Sequence, residues 1–343
     1  MPRALRIHIA GAGALGLACA VRLARAGADV TVFDPAPFAT NASGVAAGML
    51  APAFECVLDE AARPHLPLLL EARDLWPAFA DTLGLGLDRR GAMAVGDESR
   101  LAGLEEAFTG LGLSAQRTSA ARSAELAPGL APAFAGGLFT REDWRIEAAA
   151  TLEALRGAAR SAGAAFRPVA LDAAEEADLR VIATGAAKDL AGLAPELDQL
   201  TPIKGHILRL PMIAYDGVVV RGPGGYAAPA EGGMTVGATM EAGQDDLLVD
   251  PARVEALAAA GRAMFPALAG HAPRAVVGVR AATPDGLPLV GPSVTPRTIL
   301  AAGARRNGWL LAPLASRIVS AYAFGSDPGP WAAGLEPRRF APR

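Results

Sequence analysis

Arg280 makes the clearest chemical demand in this chain, because it ends the apolar run that opens VVGVRAATPDGLPLVG (276–291). Val276, Val277 and Val279 read as a buried strand. A guanidinium delivered by such a strand needs an anion to offset its desolvation. A bound carboxylate could take two parallel charge-assisted bonds from it; a buried structural pair with an Asp or Glu is the other reading. Tyr226, in GGYAAPAEGGMTVGATME (224–241), offers a phenolic donor to the same anion or is an ordinary sheet residue. The Arg305-Arg306-Asn307-Gly308 turn feeds an apolar helix beginning near Trp309, whose positive N-terminal end would favour negative charge on a bound group. Simple capping by Asn307 is the alternative.

A second constellation lies at the other end of the chain. Gly11-Ala12-Gly13-Ala14-Leu15-Gly16 follows an apolar strand and opens a helix, and Asp34 ends the next strand 21 residues beyond Gly13. That context turns a weak glycine pattern into a dinucleotide fingerprint. Gly11, Gly13 and Gly16 let the backbone approach a pyrophosphate, the helix opening at Ala14 favours its charge, and Asp34 can accept from ribose hydroxyls. The fingerprint does not separate NAD from FAD. A further apolar strand, near 178–186, ends on Thr184 and Gly185, small enough for the backbone to pass an extended cofactor or merely to make a tight turn.

These residues need a scaffold. Residues 5–34 read as a βαβ crossover, the 67–83 segment as a core-facing helix and 203–241 as an antiparallel meander turning at Glu231-Gly232-Gly233. A helix is expected over 251–268 and another at the C-terminal end. The expected architecture is α/β at both ends with an antiparallel insert. It is divided into a discontinuous nucleotide-binding domain (1–83, 141–202 and 278–343) and a substrate-binding domain (84–140 and 203–277).

Composition excludes several classes. The chain has 343 residues, 52% of them hydrophobic, enough for sizeable cores. Its net charge of −3 supplies no field for nucleic acid, and no run of about 18 uncharged apolar residues suggests a membrane span. The N-terminal segment lacks a secretory pattern, and the two cysteines, Cys19 and Cys56, fit a reducing compartment, so a cytoplasmic location is expected. The four histidines are dispersed without metal spacing and no metal site is expected.

ASGVAAGMLAP (42–52), IKGHILRL (203–210), the 224–241 segment, VGVRAATPDGLPLVGP (277–292) and RRNGWLLAPLA (305–315) together resemble the D-amino-acid oxidase family of flavoproteins. Within it they look most like the glycine oxidase branch of thiamin thiazole formation. The resemblance implies a Rossmann-type FAD-binding domain interleaved with an antiparallel-sheet substrate domain. It also implies non-covalent FAD held by the glycine turn, with Ser43, Ala46, Ala47, Gly48 and Met49 along the flavin, Val169 near the adenine, and Thr184, Gly185, Arg306, Asn307 and Gly308 completing the site. Arg280 would grip a substrate carboxylate with help from Tyr226, while Arg306 stands beside the flavin pocket. The implied reaction is oxidative deamination of glycine, sarcosine or a small D-amino acid with molecular oxygen as acceptor. A hand-off to thiazole synthase and a homo-oligomer are implied with it; a D-amino-acid dehydrogenase with another electron acceptor is the alternative. Two positions depart from the pattern: Ala304 replaces a histidine and Ala230 a basic residue. No cysteine follows Cys56, so the C-terminal cysteinyl-flavin link of sarcosine-oxidase relatives cannot form.

Overall fold

The Arg6–Ala10 strand, the Ala14–Arg25 helix and the Asp29–Phe33 strand form a βαβ crossover between parallel neighbours, around which the first layer assembles. The computed structural model describes residues 3–134, 136–211 and 213–340. Among these, one sheet holds six strands in the order Leu289–Pro292, Thr298–Ala302, Leu179–Ile182, Arg6–Ala10, Asp29–Phe33 and Ala165–Arg167. All neighbours are parallel except the Leu289–Pro292 edge. Ile7, Ile9, Val30, Val32 and Val181 are fully buried in it, as a parallel sheet covered on both faces requires. The Ala14–Arg25, Ala148–Ser161 and Gly308–Phe324 helices contribute Leu17, Leu23, Leu152, Leu155, Leu310 and Ile318 to the same core. Each such side chain contributes about 1.5–3 kcal/mol on burial.

The second sheet carries the meander. In its nine described strands, Val219–Gly222, Gly225–Ala230 and Gly233–Gly237 are consecutive antiparallel neighbours, and Thr201–Pro211 closes against Gly233–Gly237. Arg274–Ala282 then pairs along Thr201–Pro211, from Thr201 opposite Ala282 to Arg209 opposite Arg274. The expected domain limits at 202/203 and 277/278 therefore fall inside two continuous strands. Ala92–Val95 extends the sheet by parallel pairing with Val219–Gly222.

Two helices are shorter than the apolar spacing predicts. The 67–83 segment divides into Leu66–Asp74 and Trp76–Asp81, because Pro77 has no amide to continue the ladder from the first helix. Pro251–Met264 likewise stops short of 268, and Pro266–Leu268 continues as a separate 3-10 turn. No helix among the described residues is long and apolar enough to cross a membrane.

Candidate active site

The glycine turn is built against the neighbouring strand. Gly11 has φ +106°, and a Cβ there would lie 2.3 Å from the Ala183 carbonyl oxygen; at Gly16 it would lie 2.0 Å from the Gly11 carbonyl. The Asp34 carboxylate accepts from the amides of Ala12 at 2.7 Å and Ala36 at 2.9 Å, fixing the turn while retaining further lone pairs for a ribose. Ser43 Oγ accepts from the Ala14 amide at 3.0 Å, and a Cβ on Gly13 would approach that oxygen to 3.2 Å. The Leu15 and Gly16 amides meet no protein acceptor among the described residues, leaving first-turn donors for an anion. These features fit a dinucleotide pyrophosphate. Thr184 spends its hydroxyl on the Ala187 carbonyl, so its strand end can offer backbone only, next to Gly185 at φ +66°. Val169, just beyond the Ala165–Arg167 strand, is 45% exposed.

The second constellation lies on one face of the antiparallel sheet. Strand register places Arg221 opposite Tyr226, Tyr226 opposite Gly237, and Gly237 opposite Ile207. Two residues along, Gly205 faces Gly278, and after two more Ile203 faces Arg280. Period-2 alternation sends all of these side chains to the same side. The three glycines on that face leave a trough, and Ala46, Ala47, Gly48 and Met49 line it from the other side, giving a half-open cavity of about 290 Å³. Arg306, Asn307 and Trp309 complete the wall nearest the C-terminal helix. The trough is specific to glycine. A Cβ on Gly205 would stand 1.7 Å from Arg280 Nη2, and one on Gly237 would stand 2.6 Å from the Tyr226 hydroxyl.

Arg280 donates from Nη2 to the Thr239 carbonyl at 2.8 Å. No carboxylate among the described residues lies within 4.0 Å of it, so the buried structural pair weighed from the sequence is not formed. Burial holds its basicity below the usual arginine value, partly offset by Tyr226 and reinforced by the positive charges of Arg306 and Arg305. Burial likewise raises the Tyr226 phenol against the pull of Arg280, so it stays a neutral donor around pH 7.

Arg306 lines the cavity but is already committed. Its Nε and Nη2 donate to Glu55 Oε1 at 3.0 and 2.8 Å, and Nη2 also reaches Asp59 Oδ2 at 2.8 Å. Arg305 joins the same pair through Asp59. The alternative role for Asn307 also fails: its side chain makes no cap to the Gly308–Phe324 helix and turns to Glu55 Oε1 at 3.4 Å. Gly308 opens that helix. Of the two departing positions, Ala304 is buried and bridges Ala282, while Ala230 ends its strand opposite Gly233.

Two cations on this face went unnoticed in the sequence. Arg209 donates to Thr235 Oγ1 at 2.7 Å and to the Val45 carbonyl at 2.6 Å, tying the sheet to the 42–49 segment. Arg221 lines the cavity beside Met49. Both were legible by the signal that marks Arg280, a guanidinium at the end of or within an apolar ribbon. Glu55 and Asp59 carried no such signal, since their partners lie some 250 positions away in the chain.

A Rossmann-type sheet with an open glycine turn, joined to a glycine-lined chamber with a half-buried arginine free of carboxylate partners among the described residues, defines the class as a dinucleotide-dependent enzyme. The chain belongs to the FAD dependent oxidoreductase family (DAO), whose model matches residues 6–322. It is 29% identical over 351 residues to the glycine oxidase of Geobacillus kaustophilus, covering 92% of this chain and 91% of that protein. It is 32% identical over 350 residues to the bifunctional protein ThiO/ThiG of a Nostoc species, covering 92% of this chain but only 52% of that protein. The crystal structure of glycine oxidase from Geobacillus kaustophilus superposes with a TM-score of 0.84 at 27% identity, covering 98% and 99% of the two chains. The cofactor is accordingly FAD, and the D-amino-acid oxidase-like fold expected from the sequence is the one observed.

Proposed function

We propose that the chain oxidises a small amino acid at its Cα–N bond, with glycine, sarcosine or a small D-amino acid as the substrate class and molecular oxygen as the final acceptor. The observation that carries this reading is Arg280: a half-buried guanidinium without a carboxylate partner among the described residues, lining a chamber shared with the 46–49 segment. Arg280 would take the substrate carboxylate through two charge-assisted bonds, each contributing on the order of 1.5–3 kcal/mol. The Tyr226 phenol adds a third donor. Gly205, Gly237 and Gly278 keep the trough open so that the α-carbon can face the 46–49 segment, and positioning is the main contribution of the protein. When bound, FAD supplies the two-electron acceptor for the hydride leaving the α-carbon.

No histidine lines the chamber among the described residues. The lining carboxylate, Glu55, is already held by Arg306 and Asn307, so the substrate loses its ammonium proton to water or enters as the free amine, after which hydride departure needs no further base. The imine formed is released for hydrolysis to a 2-oxo acid and ammonia, or methylamine in the case of sarcosine, and reoxidation by oxygen yields hydrogen peroxide. Hand-off of the imine to a thiazole synthase belongs to the same reading, supported by the resemblance to the thiamin-linked branch and by the ThiO/ThiG relative.

Anaerobic addition of glycine, sarcosine, D-alanine and D-proline to the yellow holoenzyme tests the proposal. Bleaching of the flavin absorbance by at least one of them, followed by stoichiometric peroxide on admitting air, is expected. Bleaching without peroxide would transfer the chain to the dehydrogenases, and no bleaching by any of them would reject glycine, sarcosine and small neutral D-amino acids as substrates.

A further inference from the structure

Arg221 is the cation in the chamber that the carboxylate clasp leaves unused. It ends the Val218-Val219-Val220 run and stands directly opposite Tyr226 across the strand pair, so both side chains enter the cavity from one face. Its Nε is shut from solvent and has no hydrogen-bond partner. Nη2 reaches only the Met49 sulfur, at 3.5 Å, and the guanidinium lies 5.3 Å from the centre of the Phe54 ring. No carboxylate among the described residues lies within 4.0 Å. Asp143, the acidic group with most influence on it, has its two oxygens on the amides of Ala53 and Phe54 at 2.8 and 3.2 Å. A weak sulfur acceptor and a ring face leave most of the five guanidinium donors open, and a desolvated cation in that state is costly until an anion arrives. Arg306, in the same wall, shows the contrast, with two carboxylates already on it.

The two open cations flank the trough. In sheet order Arg280 lies on the Arg274–Ala282 strand at one side, Arg221 on Val219–Gly222 at the other, and Tyr226 between them. The Arg280 guanidinium already leans over Gly205 on the neighbouring strand, towards Arg221. We infer that the preferred substrate is a dicarboxylic amino acid, its α-carboxylate on Arg280 and a second carboxylate, carried by the side chain or the amine substituent, on Arg221. This rests on the proposed amino-acid oxidation and specifies its substrate class.

The test compares kcat/KM of the holoenzyme for iminodiacetate against sarcosine, and for D-aspartate against D-alanine. The dicarboxylate of at least one pair should be preferred about 10-fold or more. Arg221→Gln should lower that ratio about 10- to 100-fold, as loss of bonds to a charged group predicts, with partial recovery in Arg221→Lys and flavin content unchanged. Should Arg221→Gln fail to fold, the wild-type ratios still decide the matter. Oxidation of sarcosine or D-alanine without a dicarboxylate preference, or a preference that Arg221→Gln leaves unmoved, overturns this inference alone. Failure of all four compounds to reduce the flavin overturns the amino-acid reading beneath it as well.

Discussion

Arg280 is pinned to the backbone of Thr239, whose carbonyl accepts from its Nη2 at 2.8 Å. Thr239 is itself held by its side chain. Its hydroxyl donates to Glu241 Oε1 at 2.6 Å and accepts from the His206 amide at 2.8 Å. His206 accepts from the Asp250 amide on Nε2, which leaves Nδ1 to carry the proton facing Glu241 at 3.0 Å. The cluster lies behind the sheet face that bears the chamber, and its effect there is to fix one end of the guanidinium so that its other donors project into the trough.

Thr239 is therefore a positioning residue. Thr239→Val should raise KM for amino-acid substrates several-fold with a smaller change in kcat, because the clasp loosens before the chemistry is touched. Thr239→Ser, which keeps the hydroxyl, should restore it. Equal losses in both variants, or loss of flavin, would indicate a purely structural role.

Gly205→Ala places a methyl group where the Arg280 guanidinium lies, 1.7 Å from Nη2 and 2.8 Å from the Thr239 carbonyl. Arg280 must vacate that position. Substrate affinity should fall about 10- to 100-fold, the scale of charged hydrogen bonds, while the flavin spectrum is retained. Wild-type kinetics in this variant would mean that the guanidinium works elsewhere.

At the nucleotide turn the effect should be reversed. Gly11→Ala meets a positive φ, worth about 1–2 kcal/mol of strain, and a carbonyl oxygen 2.3 Å away. The protein should purify pale, with FAD affinity lost and activity restored only partly by excess FAD. A fully yellow preparation would contradict the role of the turn.

The Asp59 cluster predicts a pH dependence of stability. Burial alone would raise the Asp59 carboxyl, but the hydrogen bond and charge of Arg305, with the charge of Arg306, hold it below its ordinary value of 3.8. A depressed carboxyl stabilises the fold fully above its unfolded value and loses that contribution as pH falls through the folded one. The Tm difference between wild type and Asp59→Asn should be largest and flat at pH 6–8 and should close below about pH 3.8. A gap that instead widens on acidification would reverse the assigned sign.

How much of this was legible follows from where each signal resides. The crossover, its glycines and Asp34 are local in sequence, so period and spacing expose them. Arg280 is local in another sense, since a charge at the end of a valine run is anomalous wherever the strand goes. Arg221 shows the same anomaly but precedes Gly-Pro-Gly-Gly, which reads as an ordinary turn and conceals it. The pairing of Arg306 with Glu55 and Asp59 could not be read, because it is created by tertiary contact between distant segments. Helix ends at Pro77 and Pro266 were overrun because apolar spacing continues through both prolines while the amide ladder does not.

The central claim is that Arg280 holds the substrate carboxylate in a chamber beside the flavin. Anaerobic titration of wild-type and Arg280→Ala holoenzymes with the best amino-acid substrate, followed by flavin absorbance, tests it most directly. Two lost charge-assisted bonds predict apparent affinity weaker by about 10²- to 10⁴-fold, with FAD content and Tm close to wild type. Saturable flavin reduction at the same substrate concentrations in both proteins would contradict it.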